Sequence, residues 1–220
     1  YLTHNFKNKT IMKKVLLTVA AVMAFGLMNA QEVKYGAKAG LNMSNFGGDA
    51  ENTDMKIGFQ IGGFAEIKIS DKFAVQPELL FSTQGAKSEY SESEPGYSYS
   101  EESTVKLNYL NIPIMAKYYA TEKFYVEAGP QIGFLMSAKE DFDYSETFMG
   151  TTDSGSTSED IKDGLNSTDF GLGLGLGYNF TENVGAGLRY TAGLSNIYKD
   201  APSGYSVNNS NIAVSVAYTF

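Results

Sequence analysis

The chain has 220 residues, a formal net charge of -8, and neither Cys nor Trp. Disulfide and thiol chemistry are therefore excluded, and the excess of acid argues against a nucleic-acid partner. The single histidine is His4, so the rest of the chain lacks the side chain most used for general acid–base catalysis and in zinc sites.

The first segment reads as targeting information. Met12 is taken as the start, which makes residues 1–11 upstream read-through. Lys13 and Lys14 form a positive n-region, Val15–Met28 an apolar h-region, and Ala30 precedes a cleavage point. Residues 12–30 are thus predicted to be a cleaved signal peptide, and residues 31–220 the mature domain. The apolar run is shorter than the roughly 20 residues that a membrane-spanning helix needs. Removing residues 1–30 takes away four lysines and no acid, leaving 13 basic and 25 acidic residues, a difference of -12.

From Val33 onward the sequence alternates with period two, the mark of a strand with one apolar face. The clearest case is Ser167–Phe180. Phe170, Leu172, Leu174, Leu176, Tyr178 and Phe180 form one row, and Gly171, Gly173, Gly175 and Gly177 stand in the other. Those glycines are no phosphate loop, because they fall on every second residue of a strand and no helix follows. Similar segments are Val33–Leu41, Ile57–Lys68, Phe73–Gln84, Leu107–Tyr119, Phe124–Ser137, Val184–Ser195 and Asn211–Phe220, which makes eight.

The connections alternate as well. Ser70-Asp71-Lys72, Thr121-Glu122-Lys123 and Thr181-Glu182-Asn183 share a formula of hydroxyl, acid, then Lys or Asn, and read as three-residue hairpin loops. The others are long: Ser44–Met55, Lys87–Thr104, Lys139–Asn166 and Asn196–Asn209. Short turns at one end and long loops at the other are the asymmetry of outer-membrane barrels.

The apolar row is expected to face lipid. The opposite row is small or charged, many segments reach about 10 residues, and Tyr and Phe gather at segment ends as an interfacial girdle would. The predicted fold is all-β: an eight-stranded, antiparallel, up-and-down transmembrane β-barrel in a Gram-negative outer membrane, with both termini in the periplasm. Lipid tolerates no open sheet edge, so the first and last strands should pair. Tyr218 and Phe220 are read as a terminal assembly signal for the barrel-assembly machinery, and outer-membrane lipid and lipopolysaccharide as the surrounding partners.

An eight-stranded barrel is just wide enough for side chains to fill its interior. The inward row carries Lys38, Glu66, Lys68, Glu78, Lys117, Glu127 and Arg189. Such charges need partners at low dielectric. Centring the hairpins on Glu122 and Glu182 puts Lys117 opposite Glu127 and Gly175 opposite Arg189. Glu78 is the preferred partner of Arg189 across the lumen. The set Lys38, Glu78, Lys117, Glu127 and Arg189 is read as a structural charge network that plugs the barrel. The alternative is an ion path.

The outer loops are acidic. Lys87–Thr104 holds Glu89, Glu92, Glu94, Glu101 and Glu102, and Lys139–Asn166 is richer still. Carboxylates at this density invite Ca²⁺, but no stretch has the spacing of a calcium loop, and a solvated acidic surface is the expected reading. No cofactor is expected.

Tyr35–Phe46, Phe73–Lys87, Leu107–Tyr119, Phe124–Ala138 and Arg189–Ile197 together resemble the PorT-like outer-membrane β-barrel family. The matching features are Pro77-Glu78, Tyr109-Leu110 with Pro113, Gly129-Pro130, and Tyr190 with Gly193-Leu194. The resemblance implies an eight-stranded outer-membrane barrel. Its namesake is linked to a protein-secretion and gliding apparatus. Proline inside a strand removes a ladder hydrogen bond, so bulges are expected at the two of these prolines that occupy strand interiors.

The reading that follows is a monomeric, non-enzymatic outer-membrane protein with an envelope-structural or surface-contact role through its acidic outer loops. An accessory role in a secretion apparatus is the first alternative, with secretion-system proteins as partners. A narrow small-solute channel is the second. A barrel enzyme and a soluble barrel come last.

Overall fold

The computed structural model describes residues 32–220. The expected read-through segment, the expected signal peptide and its expected cleavage point lie outside the described residues.

Nine strands are formed: β1 Val33–Gly48, β2 Asp54–Lys68, β3 Phe73–Glu94, β4 Tyr97–Tyr119, β5 Phe124–Phe148, β6 Thr151–Asp160, β7 Thr168–Asn179, β8 Val184–Gly193 and β9 Val207–Thr219. Eight of them close a ring in the order β1, β2, β3, β4, β5, β7, β8, β9. β1 meets β9 from Gly36 opposite Thr219 to Gly48 opposite Val207, so the first and last strands seal the barrel. β6 stands outside the ring and pairs with the far half of β5 alone. No helix among the described residues is long and apolar enough to cross a membrane.

The polarity of the barrel is inverted relative to a soluble core. On β7, Phe170, Leu172, Leu174 and Leu176 are 54%, 56%, 65% and 45% exposed. The side chains buried within include Lys38, Glu78, Lys117, Glu127 and Arg189. An apolar exterior around a charged interior suits hydrocarbon as the outer solvent.

The short turns explain their shared formula. Thr121 Oγ1 accepts hydrogen bonds from the backbone N–H groups of Lys123 and Phe124, and Thr181 Oγ1 accepts them from Asn183 and Val184. The hydroxyl thus satisfies donors that a tight turn leaves free.

Two of the expected long loops are not loops. Lys87–Thr104 continues β3 and β4 as one hairpin, from Lys87 opposite Thr104 to Glu94 opposite Tyr97. It turns at Pro95-Gly96, where Gly96 has φ +82. Most of Lys139–Asn166 is the end of β5 and all of β6, joined at Met149-Gly150 with φ values of 49 and 85. Positive φ at both central residues matches a turn with the twist a two-residue hairpin needs. β4 and β5 also pair along this length, to Tyr97 opposite Phe148. The result is a four-stranded sheet standing beyond one side of the barrel mouth. Hydropathy hid it, because the alternation here is Ser, Thr and acid against aromatic residues, all of which a solvated strand can carry.

The prolines also depart from expectation, because no bulge forms at any of them. Pro77, Pro113 and Pro130 keep full register with the following ring strand, opposite Ile114, Gln131 and Leu172. The ladder to the preceding strand simply skips those rungs, and register resumes unchanged. Each gap spans two rungs, and no residue has to be inserted. The register shifts lie elsewhere: one between Met55 and Gln60, the other beside Asn108 and Tyr109.

Gly129 sits at one of the skipped rungs. A Cβ there would lie 2.0 Å from the Ile114 carbonyl oxygen. Gly129→Ala must push β4 and β5 apart, at a cost of about 1–3 kcal/mol by analogy with overpacked cores. Thermal unfolding in detergent is expected to show a lower Tm for this variant. An unchanged Tm would mean that the two backbones are not held at this separation.

Candidate functional site

The lumen is closed in layers. In the first, Glu78 receives four donors. Lys38 Nζ and Gln76 Nε2 reach its Oε1 at 2.5 Å and 2.6 Å. Arg189 Nη2 and Nη1 reach Oε1 and Oε2 at 2.8 Å and 2.9 Å. Arg189 Nε then turns to Glu127 Oε1 at 2.7 Å. Gln76 Oε1 accepts from Lys117 at 3.0 Å, and Lys117 pairs with Glu66 at 2.6 Å. Tyr119 adds a hydroxyl to the same Glu66 carboxylate at 2.8 Å. Lys117 also lies 3.8 Å from the Tyr125 ring centroid.

Three cations and three carboxylates thus form one neutral network, with the Gln76 amide as its link. The parity of β3 puts Gln76 on the same face as Glu78, so its inward position is legible in the sequence, but no charge marks it as part of the network. Gly175 faces Arg189 across the β7–β8 pair. A Cβ on Gly175 would come within 2.9 Å of Glu127 Oε1, so the missing side chain leaves room for the ion pair.

The predicted site residues fall as follows. Lys38, Glu78, Glu127 and Arg189 share one cluster. Lys117 stands opposite Glu127 in the backbone register, as the hairpin arithmetic required. Its ammonium, however, goes to Glu66 and Gln76, because Glu127 is engaged by Arg189. Lys68 is not in the lumen. It stands at the rim and pairs with Glu32 at 3.2 Å, where water can solvate both. Tyr218 and Phe220 lie on the outer wall, 51% and 76% exposed, with ring centroids 5.8 Å apart.

Above the charges comes an amide layer. Asn42 Nδ2 donates to Ser82 Oγ at 2.9 Å, Gln84 Nε2 donates to the same oxygen at 2.8 Å, and Asn209 Nδ2 donates to Gln84 Oε1 at 2.5 Å. At the mouth, Leu107, Tyr109, Leu135, Ala138 and Leu165 form an apolar cap, with Phe46, Val105 and Ile161 packed against it. At the short-turn end the lumen opens as a blind cavity of about 750 Å³, whose inner lining includes Lys38, Glu66, Lys117 and Tyr125. Among the described residues, no group of three or more His, Cys, Asp or Glu side chains could hold a metal ion.

The projecting sheet is the other candidate. Its faces are fixed by register. Tyr97, Tyr99, Glu101 and Ser103 of β4 stand beside Glu140, Phe142, Tyr144, Glu146 and Phe148 of β5. This face continues the lumen-facing row, since Val105, on the same side of β4, packs on the cap. Tyr99 donates to Glu101 Oε2 at 2.8 Å. That hydrogen bond and then partial burial push the Tyr99 hydroxyl pKa upward. Tyr97 shifts the same way, through partial burial and the charges of Glu146 and Glu92. The opposite face holds the ion pairs Lys87 with Glu102 and Lys106 with Asp141.

Residues 29–199 match the family described as outer membrane protein beta-barrel domain. The chain belongs to this family. It is an outer-membrane β-barrel protein, and the match identifies no PorT-like subgroup. Among solved structures it is similar to Ail, the attachment invasion locus protein of Yersinia pestis, at 14% identity over 86% of this chain and 99% of that one, with a TM-score of 0.42. Neisserial surface protein A is similar at 12% identity, over 86% and 99% of the two chains, with a TM-score of 0.41. OprG from Pseudomonas aeruginosa is similar at 13% identity, over 86% and 94%, with a TM-score of 0.37. No curated protein sequence matches the chain.

Replacing Arg189 tests the central network. Arg189→Leu leaves Glu78 with one cation and Glu127 with none. Breaking a buried pair from one side costs about 3–5 kcal/mol. Arg189→Lys keeps the charge but loses the fork, and is expected to recover only part of that loss. Melting in detergent reads both variants. Equal Tm values for Arg189→Leu and the parent would show that the network does not hold the barrel together.

Proposed function

We propose that this chain is a non-enzymatic surface-contact protein whose barrel anchors the projecting sheet outside the cell. The observation that carries this reading is the sheet itself. The ends of β3, β4 and β5 and all of β6 are spent on a sheet that projects past the barrel mouth. In this reading residues 12–30 are a signal peptide, the short turns and both termini face the periplasm, and the sheet faces outward. Tyr218 and Phe220 serve recognition by the barrel-assembly machinery. Lipopolysaccharide surrounds the barrel, and the protein acts as a monomer without a cofactor. The charged, amide and apolar layers serve as a plug.

The test is to shorten both hairpins, replacing residues 89–102 and 141–158 with tight turns, and to compare attachment of cells carrying either form. The shortened barrel is expected to fold and to lose attachment. Equal attachment by both forms would end the surface-contact reading.

The plug supports a closed lumen. Single-channel recording in planar bilayers is expected to give no steady conductance. A stable open level in the parent protein would favour the channel alternative.

The blind cavity at the short-turn end favours a second reading, in which the protein is an accessory of a secretion apparatus and a periplasmic segment of that apparatus docks there. Co-purification of secretion components with the parent protein, lost on filling the cavity by Ala217→Trp, is the expected outcome of that reading.

A further inference from the structure

The two faces of the projecting sheet differ in charge, and the difference is not statistical. The three lysines of residues 87–106 and 139–160 are Lys87, Lys106 and Lys139, and there is no arginine. Lys106 stands opposite Lys139, and Lys87 reaches Glu102, all on the face that continues the outer wall. Two of the three are neutralised there by Glu102 and Asp141. The inward face therefore has no cation of its own. It holds Glu92, Glu94, Glu101, Glu146 and Asp153, placed by the register of β3, β4, β5 and β6.

The same face holds six aromatic rings: Tyr90, Tyr97, Tyr99, Phe142, Tyr144 and Phe148. Tyr90 and Phe148 are 57% and 61% exposed. Tyr90 and Tyr99 lie with centroids 6.3 Å apart at an interplanar angle of 56°, an open pair whose faces are not consumed by stacking. Tyr97, Tyr99, Phe142 and Tyr144 are half-buried within the sheet, and Tyr90 and Phe148 stand exposed. A contiguous aromatic face in water marks an interaction site. Rings interleaved with carboxylates select for charge as well. An ammonium or guanidinium group can sit over a ring face while a neighbouring carboxylate takes its N–H donors. A neutral or anionic partner would leave those carboxylates desolvated without compensation.

We propose that the inward face of the projecting sheet docks a cationic polypeptide segment, rich in Lys or Arg. The charge complementarity selects this partner, and the rings supply the apolar contact. An extended segment laid along the sheet would meet carboxylates and rings in turn. Its attraction is long-range and falls with ionic strength, because the face lies in water beyond the membrane. The proposal rests on the surface-contact reading but specifies its partner.

The experiment uses the full-length folded protein in detergent, with a deca-lysine peptide as probe and calorimetry as readout. Saturable binding that weakens with added salt is expected. Glu101→Gln with Glu146→Gln, both on the inward face, should weaken it about tenfold or more. Glu89→Gln with Asp143→Asn, on the opposite face, changes net charge equally and should alter it by less than about twofold. Tyr99→Ser, which removes a ring, should weaken it about threefold or more, the size of one cation–ring contact. Each variant must retain the parent's shift between heated and unheated forms on a gel, which shows that its barrel is folded.

Absence of binding, or equal losses from the two charge pairs, overturns the proposal. So does equal affinity for spermine, because the face would then be a general counterion surface. These results differ from failure of the surface-contact reading. Attachment lost on shortening the hairpins, together with no affinity for deca-lysine, leaves the sheet as the contact element and rejects the cationic partner.

Discussion

Hydrocarbon accepts and donates no hydrogen bonds. Every backbone group at membrane depth must therefore be paired within the chain, and a sheet can do this only by closing. The β1–β9 seam meets that demand, from Gly36 to Gly48. Closure in turn fixes the two solvents, lipid outside and a narrow lumen within. The exposed Leu row of β7 and the buried charges of β1, β3, β4, β5 and β8 are both consequences. The prolines are tolerated for the same reason: each drops one ladder on one side while the register of the ring holds.

The lumen then poses its own electrostatic problem. Six charges at low dielectric are stable only if each finds an opposite charge with good geometry. The solution is centred on Glu78, which takes donors from Lys38, Gln76 and Arg189. Gln76 passes the network on to Lys117 and Glu66. A neutral amide can bridge two ion pairs because it donates from one end and accepts at the other. The network is therefore one unit. It ties six ring strands, β1, β2, β3, β4, β5 and β8, together across the barrel.

Much of this was legible beforehand. Strict alternation along Ser167–Phe180 and its seven counterparts gave the strands, because a side chain's face depends only on its position in a period of two. Register at two of the hairpins followed from the turns, so that Lys117 opposite Glu127 and Gly175 opposite Arg189 were arithmetic. What failed was the step from backbone register to side-chain partner. Long side chains in a closed lumen reach across it, and Lys117 chose Glu66 on β2 over its direct neighbour. Lys68 failed for a related reason, since its parity was inward but its height put it at the wet rim, beside Glu32.

The sequence by itself determined the family of solutions: the alternation, the short turns and the absence of His and Cys after His4. Those are local properties, carried by each residue and its neighbours. Only the tertiary structure decided where the barrel stops and the projecting sheet begins. Hydropathy falls along Lys87–Thr104 and Lys139–Asn166, so the strands looked finished. Pairing between β4 and β5, whose far ends are distant in sequence, carries them on to Tyr97 and Phe148. The same long-range pairing sorts the lysines onto one face and the rings and carboxylates onto the other. A charge count treats these residues as one acidic surface, whereas the paired strands give that surface two sides with different chemistry.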